Sequence, residues 1–253
     1  MKRLALGKLL GLLALSLLAL QLFFAGRIAL MAVLDPQSTS FQRSEAWRLL
    51  SEQHRLDWSQ SWSPAVSPQL ARAVIASEDA GFTEHSGVEW DAIEKAWSRN
   101  QQAEARAGKL NEQAEKRAAA KGQSVTRKVE PKIVGGSTIS QQLAKNLFLS
   151  GERHALRKVQ EIAITYMLEG LLGKRRILEI YLNSVEWGEG VFGAQAAARH
   201  YFRTDADRLS AAQAARLAVM LPAPKRFEKN PGSAYVAGRS ATILARMGAV
   251  TPP

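Results

Sequence analysis

SPQLARAVIASEDAGFTEHSG, residues 67–87, decides the class of fold. Ser67 reads as an N-cap and Pro68 as the first residue of a helix, because a missing N–H costs nothing at that position. Leu70, Ala73, Val74 and Ser77 then recur on one helical face. The helix ends on two adjacent acids, Glu78 and Asp79, with Gly81, Phe82, His85 and Gly87 close behind. The C-terminal end of a helix dipole disfavours carboxylates. With Val74, Ile75 and Phe82 around it, Glu78 is expected to be partly desolvated, its pKa raised toward the range useful for proton transfer. The bland alternative is a surface helix end carrying two solvated acids, and a single histidine such as His85 is more often structural than catalytic.

The same helical period continues on both sides. A second helix is expected from about Val88 to Trp97, with Trp90, Ile93 and Trp97 at three and four spacing. Others are expected over Ser137–Leu147, Arg153–Leu172, Lys174–Leu182, Val191–Tyr201 and Ser210–Leu221, where Pro222 stops the last. No convincing alternating strand and no internal repeat stands out, so residues 66–253 read as one all-α domain. Residues 98–132 differ: rich in Ala, Gln, Glu, Lys and Arg, they hold few large aliphatics, which predicts a solvated helix, a mobile loop or both.

The N-terminus supplies the location. Lys2, Arg3 and Lys8 precede an uncharged run from Leu9 to Gly26, which Ile28 to Leu34 extend beyond Arg27. That length suffices for a spanning helix, and the basic flank predicts a cytoplasmic tail over residues 1–8, an anchor over 9–34 and everything later outside the cytoplasm. A cleaved signal peptide is the rival; the run is long for one and no small-x-small cleavage site follows. Residues 35–65 read as a juxtamembrane segment with Trp47, Trp58 and Trp62. The 253-residue chain carries a formal charge of +11 and no cysteine. The charge points to anionic partners, the membrane placement argues against nucleic acid, and the missing cysteine excludes disulfides and thiolate chemistry.

Two further stretches carry chemistry. In GGSTISQQLAKN, residues 135–146, Ser137 can cap a helix with Ile139, Leu143 and Leu147 on its apolar side. Thr138, Gln141, Gln142 and Lys145 form a polar ribbon instead. N–H groups at the helix start, with Lys145 one to two turns on, could grip a phosphate; a routinely capped amphipathic helix is the alternative. In RKVQEIAITYMLE, residues 157–169, Arg157 and Glu161 are one turn apart, a spacing that also suits an ordinary surface ion pair. Glu169 could tie this helix to the Lys174-Arg175-Arg176 run. Gly188-Glu-Gly-Val-Phe-Gly193 fits a dinucleotide glycine pattern, but no strand is expected before it. The four histidines give no zinc spacing.

Taken in order, EDxxFxxHxG at Glu78–Gly87, GGSTIxQQxxKN at Gly135–Asn146, RKxxE at Arg157–Glu161 and KxxILExYLN at Lys174–Asn183 resemble the signature of the peptidoglycan glycosyltransferases of family 51. The resemblance runs from about Val66 to Pro224. The basic-tailed anchor and the lack of Ser-x-x-Lys and Lys-Thr-Gly make it similar to the monofunctional branch of that family. It implies a lysozyme-like helical fold with a smaller membrane-facing lobe, and polymerisation of lipid II onto a growing glycan strand held on undecaprenyl pyrophosphate, with inversion at the anomeric carbon. By the resemblance, Glu78 matches the general base and Glu161 the second catalytic carboxylate. Asp79, Phe82, His85, Ser137, Thr138, Gln142, Lys145, Asn146 and Arg157 match substrate-site positions, with Lys145 and Arg157 near the phosphates. No covalently bound cofactor is implied; a divalent ion, Mg or Mn, is admitted near Glu161 through phosphate oxygens. The expected partners are lipid II, the membrane and other cell-wall synthesis proteins, and the expected location is the inner membrane with a periplasmic catalytic domain. A lyase or hydrolase on the same scaffold, which would need no phosphate grip, and an inactive anchored scaffold are the competing functions. Residues 98–132 are longer than the family's usual gap, and their basic residues (Arg106, Lys109, Lys116, Arg117, Lys121, Arg127 and Lys128) are either lipid or glycan contacts or a solvated insertion.

Overall fold

Leucine and alanine build α1 (Lys2–Leu30), the one described helix long and apolar enough to cross a membrane, over Leu6–Leu30. The expected basic tail continues this helix, and the helix stops four residues short of the expected end, in a turn ahead of Asp35 and Pro36. Its leucines face outward along most of its length, and only Phe24, Ile28 and Met31 near its end are buried. The computed structural model describes residues 2–120, 124, 128–131, 133–149, 151 and 154–253, with side chains from residue 6 onward. It divides into two compact units, residues 1–87 with 138–253, and residues 88–137.

The first unit is built from two groups of packed helices that share one hydrophobic core. α3 (Pro68–Glu78) starts as the sequence predicts, with Ser67 accepting from the Gln69 N–H. It packs on α8 (Ala211–Met220) and α10 (Ala234–Arg246). α5 (Ile139–Phe148) packs on α6 (Ala155–Ser184), which also receives the end of α1. The α6 backbone breaks at Gly173, with φ 72° and ψ 161°, between the two helices expected there. Its expected start at Arg153 lies outside the described residues; His154 is the N-cap. Leu70, Ile139, Leu143, Ile164 and Leu168 are fully buried in that core, each contributing about 1.5–3 kcal/mol of burial free energy. Buried alanines (Ala196, Ala197 and Ala198 of α7, Ala194–Phe202, and Ala214, Ala215 and Ala218 of α8) let backbones approach closely.

Two features lie beyond what the periodicity revealed, in a fold that is otherwise helical as expected. The juxtamembrane segment contains a full helix, α2 (Ser40–Gln53), started by a capping box between Thr39 and Gln42. Three short strands also exist: β1 (Ser59–Gln60), β2 (Glu186–Gly188) and β3 (Val191–Phe192). β3 is central, parallel to β1 (Ser59 opposite Val191) and antiparallel to β2 (Glu186 opposite Phe192). Strands of two or three residues show no alternation, so nothing in the periodicity could reveal them. The helix expected from Val191 therefore begins at Ala194. Because β2 does precede the glycine pattern at Gly188–Gly193, the stated reason for dismissing a dinucleotide site falls. The dismissal stands on packing. Gly190 has φ +71°, and a Cβ there would lie 2.0 Å from the Asp57 carbonyl oxygen; one at Gly188 would lie 2.6 Å from the Tyr201 hydroxyl. Protein atoms fill the space a pyrophosphate would need. α9 (Pro224–Phe227) completes this unit's helices.

The second unit is α4 (Trp90–Ala119) and the segment that follows it. The short expected helix and much of the polar stretch are one continuous helix, as its Ala, Glu and Lys content allows. Trp90 and Trp97 are exposed, and the covered positions are Ala96 and Ala107. Asn100 and Asn111, on α4, each exchange two hydrogen bonds with the backbone of a returning residue, Val134 and Val129 respectively, at 2.7–3.0 Å. Lys116 pairs with Glu112 and Lys128 with Glu115, so two of the basic residues considered for lipid contact have acidic partners within the unit. Lys121, Val125 and Arg127 lie outside the described residues.

Candidate active site

The two acids that end α3 are put to different uses. Asp79 is buried, its Oδ2 accepting from the backbone N–H of Ile139 at 3.0 Å and its Oδ1 lying 2.8 Å from His85 Nε2. His85 Nδ1 accepts from the Gly87 N–H at 3.0 Å, which leaves Nε2 to carry the proton given to Asp79. The helix N-terminus expected to grip a phosphate thus already holds an anion, the Asp79 carboxylate. Ser137 is not the cap. Thr138 takes that role, accepting from Gln141 N–H while its own hydroxyl donates to the Gly87 carbonyl at 2.5 Å. Ser137 ends the second unit. Phe82 is fully buried behind this turn, with Lys174 Nζ 4.5 Å from its ring centre.

Glu78 is only partly covered. Its Oε2 accepts from Gln142 Nε2 at 3.1 Å, and Ser77 Oγ lies 3.4 Å from its Oε1. Burial pushes its carboxyl above the usual range, while the Gln142 and Ser77 hydrogen bonds and the Arg239 charge pull the other way; the Asp79 charge adds a small upward push. Gln142 is in turn held by Tyr181, whose hydroxyl donates to Gln142 Oε1 at 2.8 Å. Lys145, exposed, and Asn146, half-buried, follow Gln142 on the same face of α5 at three and four spacing.

The second carboxylate lies on α6. Glu161 is buried, with Arg157 Nη1 2.8 Å from Oε2 and Lys158 Nζ against Oε1. Both oxygens face cations, so these residues do not form a direct seat for a divalent ion. One turn on, Thr165 donates to the Glu161 carbonyl and lines the space beside Gly87, where a Cβ would lie 2.8 Å from Thr165 Cγ2 and 2.7 Å from Glu169 Cγ. Gly87 adopts φ +90°. Glu169 does tie α6 to the basic run, through Lys174 at 2.7 Å, and also accepts from Ser140 Oγ at 2.5 Å.

Glu78, Asp79, Phe82, His85, Thr138 and Gln142 therefore form one continuous set of contacts, and Gly87 and Thr165 link it to the Arg157–Glu161 pair. The participants that residue spacing did not identify are Tyr181, Lys158 and Ser140. Their partners lie on other helices or, for Lys158, share Glu161 with Arg157. A half-buried carboxyl with a raised pKa is a better proton acceptor than an ordinary one, and the cations Lys145, Arg157 and Lys158 can stabilise a departing anion.

A family model described as Transglycosylase matches residues 47–134 and 131–248. The chain is 50% identical over 242 residues to a biosynthetic peptidoglycan transglycosylase of Paraburkholderia xenovorans (strain LB400), covering 95% of this chain and 90% of the relative. It is 51% identical over 238 residues to one from Burkholderia pseudomallei (strain K96243), covering 93% and 83%. It is 47% identical over 235 residues to one from Bordetella pertussis (strain Tohama I / ATCC BAA-589 / NCTC 13251), covering 92% and 88%.

Proposed function

The chain belongs to the transglycosylase family, and we propose that it polymerises peptidoglycan glycan strands from lipid II at the outer face of the cytoplasmic membrane. The fold is of the helical, lysozyme-like class. α1 anchors the chain, with the basic N-terminus in the cytoplasm and the residues after 35 outside. The growing strand, carried on undecaprenyl pyrophosphate, is the donor, and the 4-hydroxyl of an incoming lipid II sugar is the acceptor.

Glu78 takes the hydroxyl proton as that oxygen bonds to the anomeric carbon. The bond from this carbon to the phosphate oxygen breaks, and its electron pair leaves with the pyrophosphate. Attack opposite the leaving group inverts the anomeric centre. The leaving group is already a stabilised anion, so cations matter more than a strong acid. Lys145 and Arg157 receive it, while Glu161 holds Arg157 and Lys158 in place and keeps their charges from repelling one another.

The observation that supports this reading most directly is the raised, half-buried Glu78 carboxyl held by Gln142, with Lys145 one turn further along the same helix. A phosphate grip beside a proton acceptor suits transfer from a lipid diphosphate and has no use in a hydrolase. Incubation with labelled lipid II tests it. Long glycan and free undecaprenyl pyrophosphate are expected, and Glu78→Gln should abolish both; release of short fragments from preformed peptidoglycan would overturn it.

A further inference from the structure

We infer that Tyr181 is a positioning residue, whose buried hydroxyl sets the direction of the Gln142 amide and so keeps a hydrogen-bond donor on the Glu78 carboxylate. The inference rests on the reading of Glu78 as the base. Tyr181 is fully buried on α6, and the hydroxyl donates to Gln142 Oε1 at 2.8 Å while Gln142 Nε2 donates to Glu78 Oε2 at 3.1 Å.

The two ends of a glutamine amide have nearly the same shape, so their direction is decided by what they meet. Turned over, Gln142 would present its carbonyl to Glu78, an arrangement that suits only the protonated acid. The phenol decides between the two. It has a proton to give, and among the described residues the acceptor it meets is Gln142 Oε1. Turning the amide over would leave that buried O–H facing an NH2 group, a costly loss for a group cut off from water. The phenol also keeps its proton: burial, then the charges of Glu78 and Asp79, hold it well above the ordinary tyrosine range. Tyr181 therefore favours the ionised form of Glu78, the form able to accept a proton, against the burial that disfavours it.

The other groups bearing on Glu78 leave this task to α5 and α6. Asp79 beside it opposes ionisation, Arg239 of α10 supports it, and Ser77 divides its hydroxyl between Glu78 and the Ala218 carbonyl of α8. The turn at Met247–Ala249 that also packs on α3 brings no charge.

The test is the pH dependence of kcat/KM for polymerisation of labelled lipid II by the full chain, from about pH 5 to about pH 9, a range that brackets a raised carboxyl. It compares wild type, Tyr181→Phe and Gln142→Leu, with thermal midpoints alongside. Tyr181→Phe should move the acid limb upward by about half to one pH unit, a part of the roughly one to two units that a whole hydrogen bond to a charged group represents. Its rate should recover toward wild type above the limb. Gln142→Leu should move the limb the same way at least as far, and adding Tyr181→Phe to it should move the limb no further. A rate reduced equally at every pH, or a limb unmoved in either single variant, would overturn the inference. Wild type that makes no glycan, or a fully active Glu78→Gln, would instead sink the reading of Glu78; an active wild type with an inactive Glu78→Gln and an unmoved limb would sink only the role of Tyr181.

Discussion

The Asp79 carboxylate sits 3.0 Å from the backbone nitrogen of Ile139, sixty positions along the chain, where it caps α5. That contact separates two neighbouring acids that look alike in sequence. Asp79 is buried and bonded through both oxygens, whereas Glu78 is half-buried and its ionised form is penalised by burial. Asp79→Asn should therefore lower stability by about 1–3 kcal/mol, because the His85 and Ile139 donors lose a charged acceptor. Glu78→Gln should leave the thermal midpoint unchanged or raise it, since it removes a carboxylate whose burial is unfavourable, while polymerisation is lost. Midpoints and lipid II turnover measured on both variants check this; equal destabilisation by the two would refute the division.

That division also marks how far sequence reading reaches. Features settled within one or two helical turns were legible: the Ser67–Pro68 start of α3, the beginning of α8 at Ser210, the Arg157–Glu161 pair and the Glu169–Lys174 tie. Competition between neighbours was harder to read. Ser137 and Thr138 are both good caps, and the backbone gives the role to Thr138, at φ −71° and ψ 166°. Contacts that depend on how helices meet were not legible. The Tyr181–Gln142 bond joins residues 39 apart, and the Asp79 cap could be foreseen only by knowing that α3 ends against the start of α5. The three strands escaped because seven residues spread over three segments carry no period.

Gly87 should tolerate no side chain. It adopts φ +90°, and an added Cβ would meet Glu169 Cγ at 2.7 Å and Thr165 Cγ2 at 2.8 Å. Gly87→Ala combines left-handed strain with overpacking, each typically costing about 1–3 kcal/mol. It should also displace the carbonyl that Thr138 bonds and the N–H that His85 Nδ1 accepts. A drop of about 2–5 kcal/mol in denaturant unfolding, with lost polymerisation, is the expected result. A variant as stable as wild type would show that the turn can move aside.

Gln21 of α1 and Gln160 of α6 exchange two amide hydrogen bonds, at 2.9 and 3.1 Å. They join the apolar helix α1 to the helix that carries Glu161. Replacing one by leucine leaves the other amide without its partner, whereas replacing both removes the polar demand altogether. Gln21→Leu and Gln160→Leu should each lower the thermal midpoint in detergent by an amount equivalent to about 1 kcal/mol, and the double variant should recover most of the loss. Additive losses in this double-mutant cycle would mean that the two amides do not act as a pair.

Glu186 of β2 should make stability fall with rising pH. Burial, opposed by the Lys225 charge, pushes its carboxyl from an ordinary 4.5 up to about 7, with Glu45 and Glu228 adding to the rise. Lys225 Nζ lies 3.6 Å from its Oε1 and bonds Glu45 as well. Because the folded-state pKa lies above the unfolded one, the folded chain holds this proton more tightly. The unfolding free energy due to Glu186 therefore decreases as pH climbs from about 4.5 to about 7 and is level beyond. Glu186→Gln removes that slope, so its advantage over wild type should grow across the same window, reaching on the order of 2–3 kcal/mol above it. Denaturant unfolding at several pH values reads the difference directly. Parallel curves for the two proteins would show that Lys225 keeps Glu186 ionised throughout, and that the burial of this carboxyl is offset by its neighbour.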